Sequence, residues 1–196
     1  KTLSSHYHHE HSLDFIEQQE DQRTNGIPVG LEDPDFVKFF KRMGVDMVHM
    51  AEFHNSRTPD MDTRERLSQI KVMHEEFQRL STDDFLLMPG EEPNVHLGSH
   101  WLSLFPKPVN WVLNRNNDQP FEQEIDGLGT VYHVGNSDDV LRLFEKENGL
   151  AWTAHPRVKG STGFPDNYNQ TDFFESAIFL GGAWKAMPAD YSRDML

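Results

Sequence analysis

Short apolar runs alternate with segments of helical period along this chain, and few folds accommodate that alternation. Asp33 is placed to cap a helix with Pro34 at its first position, Phe36, Val37, Phe39 and Phe40 as its apolar face and Gly44 as its stop. Val45 to Met50 then alternates as a strand does. A second helix is expected over about Asp62 to Leu80, where Leu67, Ile70, His74, Phe77 and Leu80 share one face. Phe85 to Met88 reads as a buried strand ended by Pro89-Gly90, and His100 to Phe105 and Val109 to Leu113 are shorter extended runs. Ser137 is positioned to cap a helix from Asp138 to Asn148, Gly149 to stop it, and Leu150 to Ala154 to form another buried strand. Strands alternating with helices favour a mostly parallel α/β arrangement. Arg157 to Gln170, rich in Gly, Pro and Asn, is expected to form a long loop.

A chain of 196 residues, 36% hydrophobic and 11% aromatic, is long enough to bury one good core, so a single domain over residues 1–196 is expected. Its formal charge of −14 argues against nucleic acid as a partner, because phosphate contacts need clustered Lys and Arg. There is no cysteine, which removes disulfides and thiolate ligands alike. No apolar stretch approaches the roughly 18 residues of a membrane-spanning helix, so no membrane partner is expected. The sequence opens at Lys1 without Met, and a fragment or processed product is the expectation.

The chemistry lies where the strand-like runs end. Ser5-His6-Tyr7-His8, Glu52-Phe53-His54, Gly90-Glu91-Glu92, Ser99-His100-Trp101 and Ala154-His155-Pro156 each place imidazole or carboxylate at or beside such an end. Neutral imidazole and carboxylate are the ligands that Zn, Mn or Fe accepts when no thiolate is present. Residues two apart in an extended segment face one side, so His6 with His8 forms a candidate pair, and His9 with His11 an equal one on spacing alone. Glu91 and Glu92 are likewise alternatives, as are His96 and His100. His49, His74 and His133 fall within strands or on a helix and read as packing or surface residues. No phosphate-cradling Gly-rich loop and no nucleophile elbow is present.

In this order the motifs resemble those of the polymerase and histidinol phosphatase (PHP) superfamily of metal-dependent hydrolases. That family runs through His-x-His, Thr-Asp-His, Gly-x-Glu, a His opening an apolar strand, and Ala-His-Pro. The resemblance implies a distorted (β/α)7 TIM-like barrel, incomplete in this chain. It assigns His6, His8, His54, Glu92, His100 and His155 as ligands to two or three divalent ions, Glu92 by the Gly-x-Glu spacing. Ser4 and Phe53 stand where the family carries Asp, and its closing Asp-x-His has no counterpart before Leu196.

The expected activity is hydrolysis of a small-molecule phosphoester by a metal-bridging hydroxide, with Arg157 as a catalytic cation for the phosphoryl oxygens. Two alternatives accompany it. One is metal-dependent hydrolysis of a non-phosphate ester or amide. The other is a non-catalytic metal-binding module that has lost the closing ligands. An Asp-x-His encoded downstream of Leu196 would favour the enzyme.

Overall fold

A computed structural model describes residues 1–52, 62–113, 115–158 and 170–184. Strands β1 (Leu3–Tyr7), β2 (Met47–Glu52) and β3 (Leu86–Glu91) lie side by side and parallel. Strand β4 (Trp101–Leu104) runs antiparallel to β3 and to its other neighbour, β8 (Leu150–Ala154). Strand β9 (Phe179–Ala183) completes this six-stranded sheet, parallel to β8. A second sheet holds β5 (Asn110–Val112), β6 (Glu122–Ile125) and β7 (Gly129–His133) in the order β5-β7-β6.

The fold is therefore not the (β/α)7 barrel that the motifs imply, but a curled half-barrel with a small second sheet. The reason lies in the connections. Only residues 92–100 join β3 to β4, whereas a parallel crossover takes a dozen or more. The chain therefore turns straight back, and β4 enters antiparallel. Between β4 and β8 it builds the second sheet instead of a further βα unit. The curl follows from one long-range bond. β1 and β8 are four strand spacings apart, about 19 Å in a flat sheet, yet the Trp152 indole N–H donates to the Ser5 carbonyl at 3.2 Å.

Helix α1 (His11–Asn25) is absent from the sequence reading, and its composition explains why. It buries only His11, Ser12 and Phe15, too little to make an apolar stripe. Helix α2 (Asp35–Arg42) packs Phe36, Val37 and Phe40 inward. Pro34 is its N-cap rather than its first residue, since φ −63° with ψ 160° is extended backbone. Helix α3 (Thr63–Leu80) starts at Asp62, whose carboxylate accepts the Arg64 and Glu65 N–H groups. Helix α4 (Ser137–Glu147) is capped by Asn136 rather than Ser137, and a short α5 (Asp172–Glu175) precedes β9.

The two faces of the curled sheet differ. On the convex face Val48, Met50 and Leu87 pack against Leu67, Ile70, Met73 and Phe77 of α3, in one core that continues through Trp101 and Trp111 to Phe144. The concave face holds a smaller cluster of Ala51, Leu102, Trp152, Ala154 and Ala183. No helix among the described residues is long and apolar enough to cross a membrane.

Candidate metal centre

Strand alternation decides which groups meet inside the curl. In β1 Tyr7 turns outward onto Phe36 and Phe40, so His6 and His8 turn inward together. At the end of β3 the same rule separates the double glutamate. Glu91 points with Leu87 toward α3, where Arg66 pairs with it, and Glu92 points into the curl. His155 directly follows β8 with φ 34°, and its N–H is fixed by the Ala183 carbonyl at 2.8 Å. His100 directly precedes β4. Because β4 is antiparallel, its start lies at the end of the sheet where β1, β3 and β8 finish, so His100 joins them.

Glu92 is the hub. Its Oε2 lies 2.9 Å from His6 Nε2 and 2.7 Å from His8 Nε2, while its Oε1 lies 2.9 Å from His100 Nδ1 and 3.0 Å from His155 Nε2. Each carboxylate oxygen thus belongs to one of two groups able to hold a metal ion: His6, His8 and Glu92, and Glu92, His100 and His155.

Hydrogen bonding shows why these groups suit a cation. The other His8 nitrogen, Nδ1, sits 2.8 Å from the Ala51 carbonyl, and a carbonyl only accepts, so Nδ1 carries the proton. In the neutral ring Nε2 is then an acceptor, aimed at a carboxylate oxygen. His6 Nε2 is 2.9 Å from the same nitrogen. His8 Nε2 and Glu92 Oε2 thus face each other lone pair to lone pair within this triangle, which calls for an extra proton or a metal cation between them. His155 repeats the pattern, with Nδ1 3.4 Å from the Val158 carbonyl and Nε2 toward Glu92. Nδ1–H held by a backbone carbonyl is also the usual way to orient a metal-binding imidazole.

Burial alone would raise the Glu92 carboxyl, but the imidazoles of His100, His6 and His8 gathered round it outweigh burial and hold the group well below the ordinary range. Burial lowers His155, and the nearby Glu92 charge only partly offsets it. The anionic form of Glu92 and the neutral form of His155, which a metal needs, are thus favoured. A cavity of about 340 Å³ opens beside the cluster, lined by Ser4, Ser5, His6, His8, His155, Ala183 and Trp184.

Of the residues assigned as ligands by resemblance, His6, His8, Glu92, His100 and His155 come together, and His54 lies outside the described residues. The rival pair separates: His11 Nε2 bonds Glu76 at 2.8 Å and His9 lies on the Phe36 ring. Glu91 is committed to Arg66, and His96 lines a different cavity with Ser137 and Phe173. Arg157 adopts φ 63° and places its guanidinium 5.7 Å from the ring centre of Trp184, which lines the cavity.

Two supports of the site had no place in the sequence reading, and a third, His49, was read there only as a packing or surface residue. His49 is fully buried, 2.8 Å from the Ser103 carbonyl and packed edge-on to Trp152. Burial pushes its pKa down to about 4. Arg66 lies among the buried residues of α3, and an Arg on an apolar helical stripe was the available signal. The Trp152–Ser5 bond had no local signal at all.

No family model, curated protein or solved structure matches this chain. The resemblance to the PHP superfamily therefore has the order of short motifs alone behind it, with no support from these comparisons.

Proposed function

We propose that this protein is a metal-dependent hydrolase, and a phosphoesterase first, with Glu92 shared between two divalent ions. The supporting observation is the triangle formed by Glu92 Oε2, His6 Nε2 and His8 Nε2, with the His8 proton held on the far nitrogen by Ala51. His6 and His8 would hold one ion, His100 and His155 the other, and Zn, Mn and Fe all suit this N/O set. A divalent ion there would supply Lewis acidity and lower the pKa of a coordinated water toward about 7.

The chain's own groups do the rest. The carboxylate of Glu92 fixes the spacing of the two imidazole pairs, because one oxygen serves each. Ser4 and Ser5 line the cavity beside the cluster and offer hydroxyls to a substrate, and Trp184 forms an aromatic wall. Arg157, held against that wall, would meet an anionic substrate at the rim. A second reading, hydrolysis of an uncharged ester or amide, draws support from the lining itself: among the described residues no Lys or Arg borders the cavity.

The test is a panel of phosphomonoesters, phosphodiesters, carboxylic esters and amides, assayed with added Mn or Zn. Turnover of a phosphoester that is removed by a chelator and restored by metal is the expected result. Metal-dependent turnover of esters or amides alone would select the second reading, and no turnover from a metal-loaded protein would leave only a binding role.

A further inference from the structure

Arg66 and Glu91 form a salt bridge in the convex-side core, with side chains 1% and 3% exposed. The Arg66 Nε–H also donates to the Trp111 carbonyl at 3.3 Å, and its guanidinium lies 5.5 Å from the Trp111 ring centre. Its Nη1 is buried with no hydrogen-bond partner. Such a pair is a poor source of stability. Desolvating both charges offsets most of their attraction, and packed apolar residues of similar volume often serve as well or better. Its position suggests what else it does.

Glu91 is the last residue of β3 and Glu92 lies just past the end of the ladder. Glu52 and Ser103 oppose Glu91 on its two sides, and the Ser103 hydroxyl accepts its N–H at 3.2 Å. On the far side of Glu92, the Pro93 carbonyl accepts the Trp101 N–H at 3.0 Å. Glu92 therefore spans two fixed points, one of them Glu91, whose carboxylate is tied through Arg66 to α3 and β5. Because consecutive side chains point to opposite faces, locking Glu91 outward forces Glu92 inward.

We infer that Arg66 and Glu91 are positioning residues for Glu92, a salt bridge behind the sheet that sets the direction of the carboxylate in front of it. This inference rests on the metal-site reading above. Outer supports of this kind are typically worth 10- to 100-fold in metal affinity.

Removing one partner alone strands a buried charge and endangers the fold, so the informative variant is the double substitution Arg66→Met with Glu91→Leu. Leu143→Ala, a buried residue of α4 outside both ligand groups, serves as a destabilised control. Zinc affinity is measured by competition against a chromophoric chelator, with urea midpoints and far-UV circular dichroism recorded in parallel. The expected result is a 10- to 100-fold loss of zinc affinity in the folded double variant, with the control within about twofold of the parent chain. Arg66→Lys, which keeps the charge but not the planar fork, is expected to lose affinity as well and covers the case of a double variant that does not fold. Parent-like affinity in a folded double variant or in Arg66→Lys overturns the positioning role while leaving the metal site intact. Equal loss in Leu143→Ala overturns it too, because stability alone would then explain the effect. No zinc uptake by the parent chain overturns the metal-site reading and this inference together.

Discussion

His8 presents one ring nitrogen to Glu92 Oε2 at 2.7 Å while the other, 2.8 Å from the Ala51 carbonyl, carries the proton. An acceptor aimed at an acceptor is unfavourable unless positive charge lies between them. The same arrangement recurs at His155, on the other oxygen of the same carboxylate. Removing metal should therefore leave the cluster electrostatically strained, and adding it should stabilise the fold. Ligand in 1,000-fold excess over its dissociation constant contributes about 4 kcal/mol. Thermal melts with a chelator, with Zn and with Mn should show the midpoint rising with metal and falling with chelator; identical melts in all three would contradict the site.

Substituting the hub should separate activity from fold. His8→Ala removes an exposed side chain that lines the cavity and Glu92→Ala a buried one at the centre of the cluster, and neither belongs to the main apolar core. Both variants are expected to lose phosphoesterase activity by at least about 100-fold while far-UV circular dichroism stays close to the parent's. Parent-like activity in both would refute the assignment.

Gly90 is a packing requirement rather than a hinge. A Cβ there would stand 2.0 Å from His49 Nε2 and 2.4 Å from the Ser103 carbonyl oxygen, and neither a buried ring nor a ladder carbonyl can move aside cheaply. Gly90→Ala should lower stability by about 1–3 kcal/mol or more. Urea denaturation checks this, and an unchanged midpoint would mean that β3 and β4 yield more readily than their pairing suggests.

Acid should destabilise this protein through two histidines outside the metal groups. Burial holds His49 and His74 near pH 4 in the folded state, below the ordinary 6.5. Between those values the unfolded chain binds protons that the folded chain does not, so stability is full above about pH 6.5 and is lost as pH falls toward 4. Each group accounts for at most about 3 kcal/mol over that span. Urea midpoints at pH 7 and pH 5, measured with chelator present, should fall less for His74→Leu than for the parent. Equal falls would remove His74 from the account.

How much of this was legible in the residues follows from the range of the forces involved. Helix α3 was readable because Leu67, Ile70, Phe77 and Leu80 repeat at helical spacing behind an Asp cap. Helix α1 was not, because three buried residues make no stripe, and its first N–H groups are met from elsewhere: Ser12 N–H by Glu52 at 3.3 Å. The site residues were visible as a set because each lies next to a strand end. The barrel was misread because that placement does not depend on strand direction. A His before an antiparallel strand and one after a parallel strand arrive at the same mouth, so His100 still meets Glu92 in a sheet of different topology. The resemblance's Gly-x-Glu spacing favoured Glu92 over Glu91, but the contact that commits Glu91 elsewhere comes from Arg66, twenty-five residues away on another element.

The most direct test of the shared-carboxylate site is metal content by elemental analysis of the parent chain and Glu92→Ala, each loaded with Zn or Mn and desalted. Because one oxygen of Glu92 belongs to each of the two ligand groups, the parent should retain two equivalents, and the single substitution should empty both positions together. A parent chain that retains no metal, or a Glu92→Ala variant that retains as much as the parent, would contradict it.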